Sequence, residues 1–139
     1  MLCHENIIVL NDQDDIWLPH KLKKIEKIFE DYPEIGYVLS DAIIINKYLQ
    51  NCGYTIWERI PFNLHQRDYF KQGYQVAVLL RHNVIIGATM AFRKELKKWI
   101  LPIPKQWVHD VWIALLASSA QMEGVLIEET LIKYRQHSN

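Results

Sequence analysis

The sequence predicts an α/β domain, and three observations carry the prediction. A short β-branched run at residues 6–11 has the make-up of a buried parallel strand. Two stretches, one after Pro19 and one after Val108, place apolar residues at helical spacing. Strand-like and helix-like segments then alternate along the chain, which places it in the α/β class.

The elements follow in order. The first strand ends in a polar and acidic cluster, and Pro19 suits the opening turn of a helix over residues 19–31. Leu22, Ile25, Ile28, Phe29 and Tyr32 mark its apolar face, and Pro33 ends it. Lys21, Lys23, Lys24 and Lys27 crowd the same stretch and read as a solvated face. Residues 36–40 and 42–46 read as one strand, or as two around Asp41. Residues 47–66 lack periodicity and read as a loop; residues 72–82 read as a helix. Residues 85–92 read as a loop entering a strand, with Gly87 where the backbone needs freedom or close approach. A short helix at 93–99 stops before Pro102 and Pro104. Val108, Val111, Trp112, Leu115 and Leu116 mark a second amphipathic helix, and residues 124–127 and 130–136 read as closing strands.

Composition narrows the function. The chain of 139 residues suits a single domain. Sixteen basic and sixteen acidic residues cancel, so no long-range field draws nucleic acid or anionic lipid. Cys3 and Cys52 lack metal-ligand spacing and read as free thiols of a reducing compartment, with a single disulfide between them as the alternative. The N-terminus has no signal-peptide pattern and no apolar run is long enough to span a membrane. A cytoplasmic location follows, with peripheral association at the inner face of the membrane left open.

Asp12-Gln13-Asp14-Asp15 is the most reactive-looking feature. It follows a strand directly, at the carboxyl end where α/β sheets place ligands. Carboxylates this close repel by on the order of 1 kcal/mol per pair even in water. A divalent cation, Mg²⁺ or Mn²⁺, relieves that repulsion and bridges to substrate phosphates. The same aspartates could instead cap the helix that starts near Pro19, and spacing alone does not choose. Trp17 reads either as an aromatic wall beside such a site or as packing under the helix.

The run Leu10-Asn11-Asp12-Gln13-Asp14-Asp15-Ile16-Trp17-Leu18-Pro19-His20-Lys21-Leu22 resembles the acidic motif of family 2 glycosyltransferases. It is most similar to the bacterial subset that builds surface polysaccharide, often described as rhamnosyltransferases. Residues 83–93, around Gly87, resemble that family's acceptor loop; residues 107–112 resemble the motif whose aspartate is the catalytic base; residues 131–137 resemble its terminal strand. The four segments occur in the family's order and span most of the chain.

The resemblance implies a metal-dependent transfer of sugar, with inversion, from a nucleotide-sugar to a saccharide or lipid-linked acceptor. It implies Asp12, Asp14 and His137 as metal ligands and Asp110 as the base. Asp15, Trp17, Gly87, Ala88 and Arg135 would bind donor or acceptor. Asp41 matches a family position without a derivable role, His109 stands where the family more often has an acid, and acceptor choice falls to residues 47–82. Helix-capping remains the alternative for Asp110.

The match begins at the strand bearing the acidic motif. It therefore implies the acceptor-side part of a GT-A fold, a mixed, mainly parallel sheet with flanking helices but without the first nucleotide-binding βαβ units. Such a part would be active only when that half is supplied, and would have an exposed sheet edge through which two copies could pair. Two other functions stay open: a non-catalytic binding or assembly module, and a DxD metal-dependent phosphoryl-transfer enzyme.

Overall fold

The structure is a computed structural model that describes residues 6–137. Two long apolar runs form its centre, where β3 (Tyr37–Ile45) and β6 (Gly124–Arg135) lie side by side in parallel. β5 (Met90–Arg93) pairs antiparallel with β3, and β1 (Ile7–Val9) pairs antiparallel with β5. Beyond β6 lies β2 (Ile16–Trp17), while β4 (Asn51–Thr55) folds back on the second half of β3; both pairings are antiparallel. The main path through the sheet is β1-β5-β3-β6-β2.

The sheet is mixed, but parallel pairing is confined to β3 and β6 among the described residues, which corrects the mainly parallel expectation. Apolar runs report burial and say nothing of strand direction. The first strand shows the same error. β1 is half-buried, antiparallel and at an edge, because its ladder partner β5 runs against it.

Helices cover both faces. α1 (Lys21–Asp31) packs Ile25 and Phe29 against Ile35, Val38, Ala91, Ile127 and Leu131 on one side. Burying side chains of this size contributes roughly 1.5–3 kcal/mol each. The helix starts after Pro19 rather than at it, and its apolar stripe is narrower than its sequence suggested, since Leu22 and Tyr32 are exposed. On the other face, α4 (Gln75–Arg81) and α6 (His109–Ser119) enclose Tyr37, Leu39, Ile44, Phe70 and Ile113 with α3 (Leu64–Lys71).

The segment 47–66 is more ordered than its sequence implied. It holds β4, α2 (Ile56–Arg59) and the start of α3. Local hydrogen bonds supply what periodicity lacked. Thr55 and Glu58 form a reciprocal capping box on α2, and Asn63 caps α3 through the Gln66 amide. The helix read at 72–82 begins only at Gln75, because Gly73 turns the chain at φ +97°. Residues 93–99 become a 3₁₀ turn, Lys94–Leu96, and α5 (Lys97–Ile100).

The two closing strands are a single strand, β6. Its register against β3 shifts from Ser40↔Ile127 to Asp41↔Thr130 and Ala42↔Ile132, so Glu128 and Glu129 fall in the irregularity. Glu129 pairs with Lys24 of α1 at 2.8 Å, and Glu128 pairs with Lys71 of α3 at 2.9 Å. The acids therefore clamp helices on both faces instead of ending the strand.

Candidate functional site

Asp12, Asp14 and Asp15 lie in the turn between β1 and β2, closed by the Asp15 amide on the Asp12 carbonyl at 3.5 Å. None of the three caps α1; the residue before that helix is His20, whose side chain makes no capping bond. The turn instead faces the end of β6. The Arg135 amide donates to Asp15 Oδ1 at 3.0 Å, and His137 Nε2 pairs with Asp14 Oδ2. The family resemblance expected Asp14 and His137 together, and 123 positions of chain separate them.

The electrostatics of the turn are uneven. Burial pushes the Asp15 carboxyl above its ordinary range, and the charges of Asp12 and Asp14 add to that. Asp14 moves the other way because its hydrogen bond with His137 favours the ionised form. Asp15 Oδ2 and Arg135 Nε are buried without hydrogen-bond partners. Tyr134 is raised by burial first and then by the three aspartates.

Lys21 was read as part of a solvated face, and it is 1% exposed. Its ammonium donates to the Ala88 carbonyl at 3.1 Å and lies 4.4 Å from the centre of the Trp17 ring. Burial brings its pKa down to about 8, against the pull of Asp15. A lysine that looks interchangeable with its neighbours thus ties the acidic turn to the Gly87 loop. Trp17 packs on the core with Lys21 across its face, and it borders a groove with Ile7, Val9 and Leu22 rather than the one beside His137.

Gly87 opens a 3₁₀ turn, Gly87–Thr89, and its loop meets α6. A Cβ at Gly87 would stand 3.2 Å from Asp110 Oδ2 and 3.4 Å from His109 Nε2, so the absence of a side chain permits the approach. Asp110 is 7% exposed in the first turn of α6, and its Oδ1 accepts the Val111 amide at 2.7 Å. Val108, not Asp110, is the cap residue of α6. Oδ2 is the oxygen turned toward Gly87.

A cleft of about 390 Å³ lies at the end of β6, lined by Ile86, Tyr134, Arg135 and His137 together with Arg59 and Ile60; the aspartates of the turn, Gly87 and Asp110 do not line it. Arg59 and Tyr134 were not singled out from the sequence. Asp41 explains how α2 reaches the cleft. Its Oδ1 accepts the amides of Ala42 at 2.8 Å and Trp57 at 3.1 Å, pinning the helix that carries Arg59.

Among the described residues, no group of three or more His, Cys, Asp or Glu side chains is arranged to hold a metal ion. What exists is Asp14 facing His137, with Asp12 in the same turn and an unpartnered Asp15 oxygen beside them. These side chains fall short of a protein-built metal cage; Mg²⁺ or Mn²⁺ held by Asp14 and His137 would need water and substrate phosphates to complete its shell. Cys52 carries a free thiol, and Cys3 lies outside the described residues. No helix among the described residues is long and apolar enough to cross a membrane. No protein-family model matches the chain, and a search of curated proteins finds no significant match.

Proposed function

We propose that the chain is the metal-binding, acceptor-side part of an inverting, GT-A-type glycosyltransferase. The observation that carries this reading is the pairing of the acidic turn with His137 at the carboxyl end of β6, on the rim of the cleft that reaches Ile86. The aspartates are free of any capping duty for α1, and one oxygen of the cluster has no partner within the protein.

Asp14 and His137 would hold Mg²⁺ or Mn²⁺, with Asp12 adjacent, and Arg135 and Arg59 would meet the anionic diphosphate of a nucleotide-sugar. When bound, the cation would supply Lewis-acid stabilisation of the leaving nucleoside diphosphate. Asp110 Oδ2 would take the proton of an acceptor hydroxyl. The acceptor oxygen then bonds to the anomeric carbon as that carbon's bond to the diphosphate oxygen breaks, and the electron pair leaves with the nucleoside diphosphate. One displacement inverts the configuration. Gly87 keeps the acceptor loop close to the Asp110 carboxylate without a side chain between them.

Calorimetric titration of a nucleoside diphosphate with Mn²⁺ tests the reading. We expect cation-dependent binding that Asp14→Asn abolishes and Asp110→Asn keeps. With the nucleotide-binding half supplied, Asp110→Asn should slow sugar transfer by about 10²–10⁴-fold. Absence of binding would favour a non-catalytic module or an inactive fragment, and phosphate release from a phosphomonoester would favour phosphoryl transfer.

A further inference from the structure

Residues 94–108 leave α5 and approach α6 with an unusual surface. Lys94, Lys97, Lys98 and Lys105 are all exposed, and Glu95 is the one acid among them. In a chain of zero net charge this is a local excess of positive charge. Interspersed are large apolar side chains left open to solvent: Trp99 at 49%, Leu101 at 54%, Trp107 at 39% and Val108 at 58% exposure. None of the four lysines joins an ion pair among the described residues; Lys98 instead lies 4.5 Å from the centre of the Trp99 ring.

The surface is mounted firmly. Leu96 and Ile100 are buried beneath it, the Trp112 indole donates to the Ile100 carbonyl at 3.1 Å, and the Trp107 and Trp112 rings lie 5.5 Å apart. Exposure of Trp99, Leu101 and Trp107 is therefore set by a packed framework.

We propose that this segment is a docking surface for an anionic lipid bilayer. Tryptophan favours the headgroup layer, where its ring is amphipathic, and lysine is drawn to anionic headgroups while its stem lies along apolar surface. Lysine is depleted from protein–protein interfaces, so the pairing of tryptophan with lysine argues for lipid over a protein partner. Pro102 and Pro104 bring no N–H that a low-water layer would leave unpaired. Docking here would turn the end of α6 that bears Asp110 toward the membrane, because Val108 is the residue before that helix. The inference does not depend on the transfer chemistry.

Co-sedimentation of the full chain with large vesicles tests it. Vesicles of phosphatidylcholine with phosphatidylglycerol should bind the protein, vesicles of phosphatidylcholine alone should bind it weakly, and salt should weaken the binding. Replacing Lys97, Lys98 and Lys105 by Gln together should lower partitioning roughly a hundredfold, at about fivefold per lysine. Trp99→Ser with Trp107→Ser should lower it at least about tenfold. All five positions are solvent-exposed, and circular dichroism checks that the variants fold. Failure of the wild-type chain to bind anionic vesicles, or equal binding by both variants, overturns the proposal. A dimer in light scattering that the tryptophan variant dissociates, without vesicle binding, overturns it too and makes the surface a contact between copies.

Discussion

The two ends of the central β3–β6 pair treat polar groups in opposite ways. Where the strands begin, Gln75 Oε1 accepts the Gly124 amide at 2.8 Å and the hydroxyls of Ser118 and Tyr37 at 3.0 and 3.1 Å. Its Nε2 donates back to the Gly124 carbonyl at 2.9 Å, so both ends of the amide are used. Tyr37 is fully buried, and burial drives its hydroxyl far above the ordinary range. Where the strands end, three carboxylates crowd one turn, and Asp15 Oδ2 and Arg135 Nε are buried without partners. In a low-dielectric interior a satisfied network rigidifies and an unsatisfied one is costly. The first end is therefore a satisfied network that rigidifies the fold, and the second keeps buried polar atoms unpaired at a cost in stability.

Breaking the satisfied end should have the largest effect. A methyl group at Gly124 would sit 2.3 Å from the Tyr37 ring, which is far inside contact distance. Gly124→Ala should cost about 3 kcal/mol or more, read as a lower midpoint in urea unfolding. Gln75→Leu should cost roughly 2–3 kcal/mol, because it removes the acceptor of the Gly124 amide and of two buried hydroxyls. A loss below about 0.5 kcal/mol in either variant would show that the network is not what fixes this end.

The two ends were also unequally legible in the sequence. The acidic turn announces itself, since Asp12, Asp14 and Asp15 follow a β-branched run, although the residues alone left a helix cap as open as a metal site. Of its partners only His137 was named through resemblance, and the Arg135 amide on Asp15 was not, because proximity across the chain is a property of the folded sheet. The satisfied end gives no signal: Gln75 looks like a helix residue, Tyr37 like a strand residue, and only packing joins them. Lys21 was misread for a related reason. A lysine among lysines is ordinarily solvated, and only the crossing of α1 with the Gly87 loop takes its ammonium out of water. Glu128 and Glu129 looked like a break between strands, whereas ion pairs to Lys71 and Lys24 keep them within β6. The helices with apolar spacing, α1, α4 and α6, were placed within a few residues, whereas α2 and α3 were missed because caps rather than periodicity mark them.

The smallest expected effect sharpens the contrast most, because its sign is opposite. Asp15→Asn keeps an oxygen for the Arg135 amide and removes a charge that burial and two neighbouring aspartates disfavour. The variant should be more stable than the parent at neutral pH, by a few tenths to about 1 kcal/mol, since solvent reaching the turn screens the repulsion. The pH dependence follows from the direction of the shift. A carboxyl whose folded pKa is raised binds its proton more tightly in the folded state, so its contribution is full below the unfolded value near 3.8 and is lost as pH rises through the folded value. The advantage of Asn over Asp should accordingly vanish in acid and grow toward neutrality in paired urea unfolding curves. Asp14, held low by His137, works in the opposite sense and gains its stabilisation as pH rises. A destabilised Asp15→Asn variant, or one whose advantage ignores pH, would make Asp15 a structural residue like Gln75. A stabilised variant that also binds Mn²⁺ and nucleoside diphosphate more weakly would identify the strain as the cost of a ligand site.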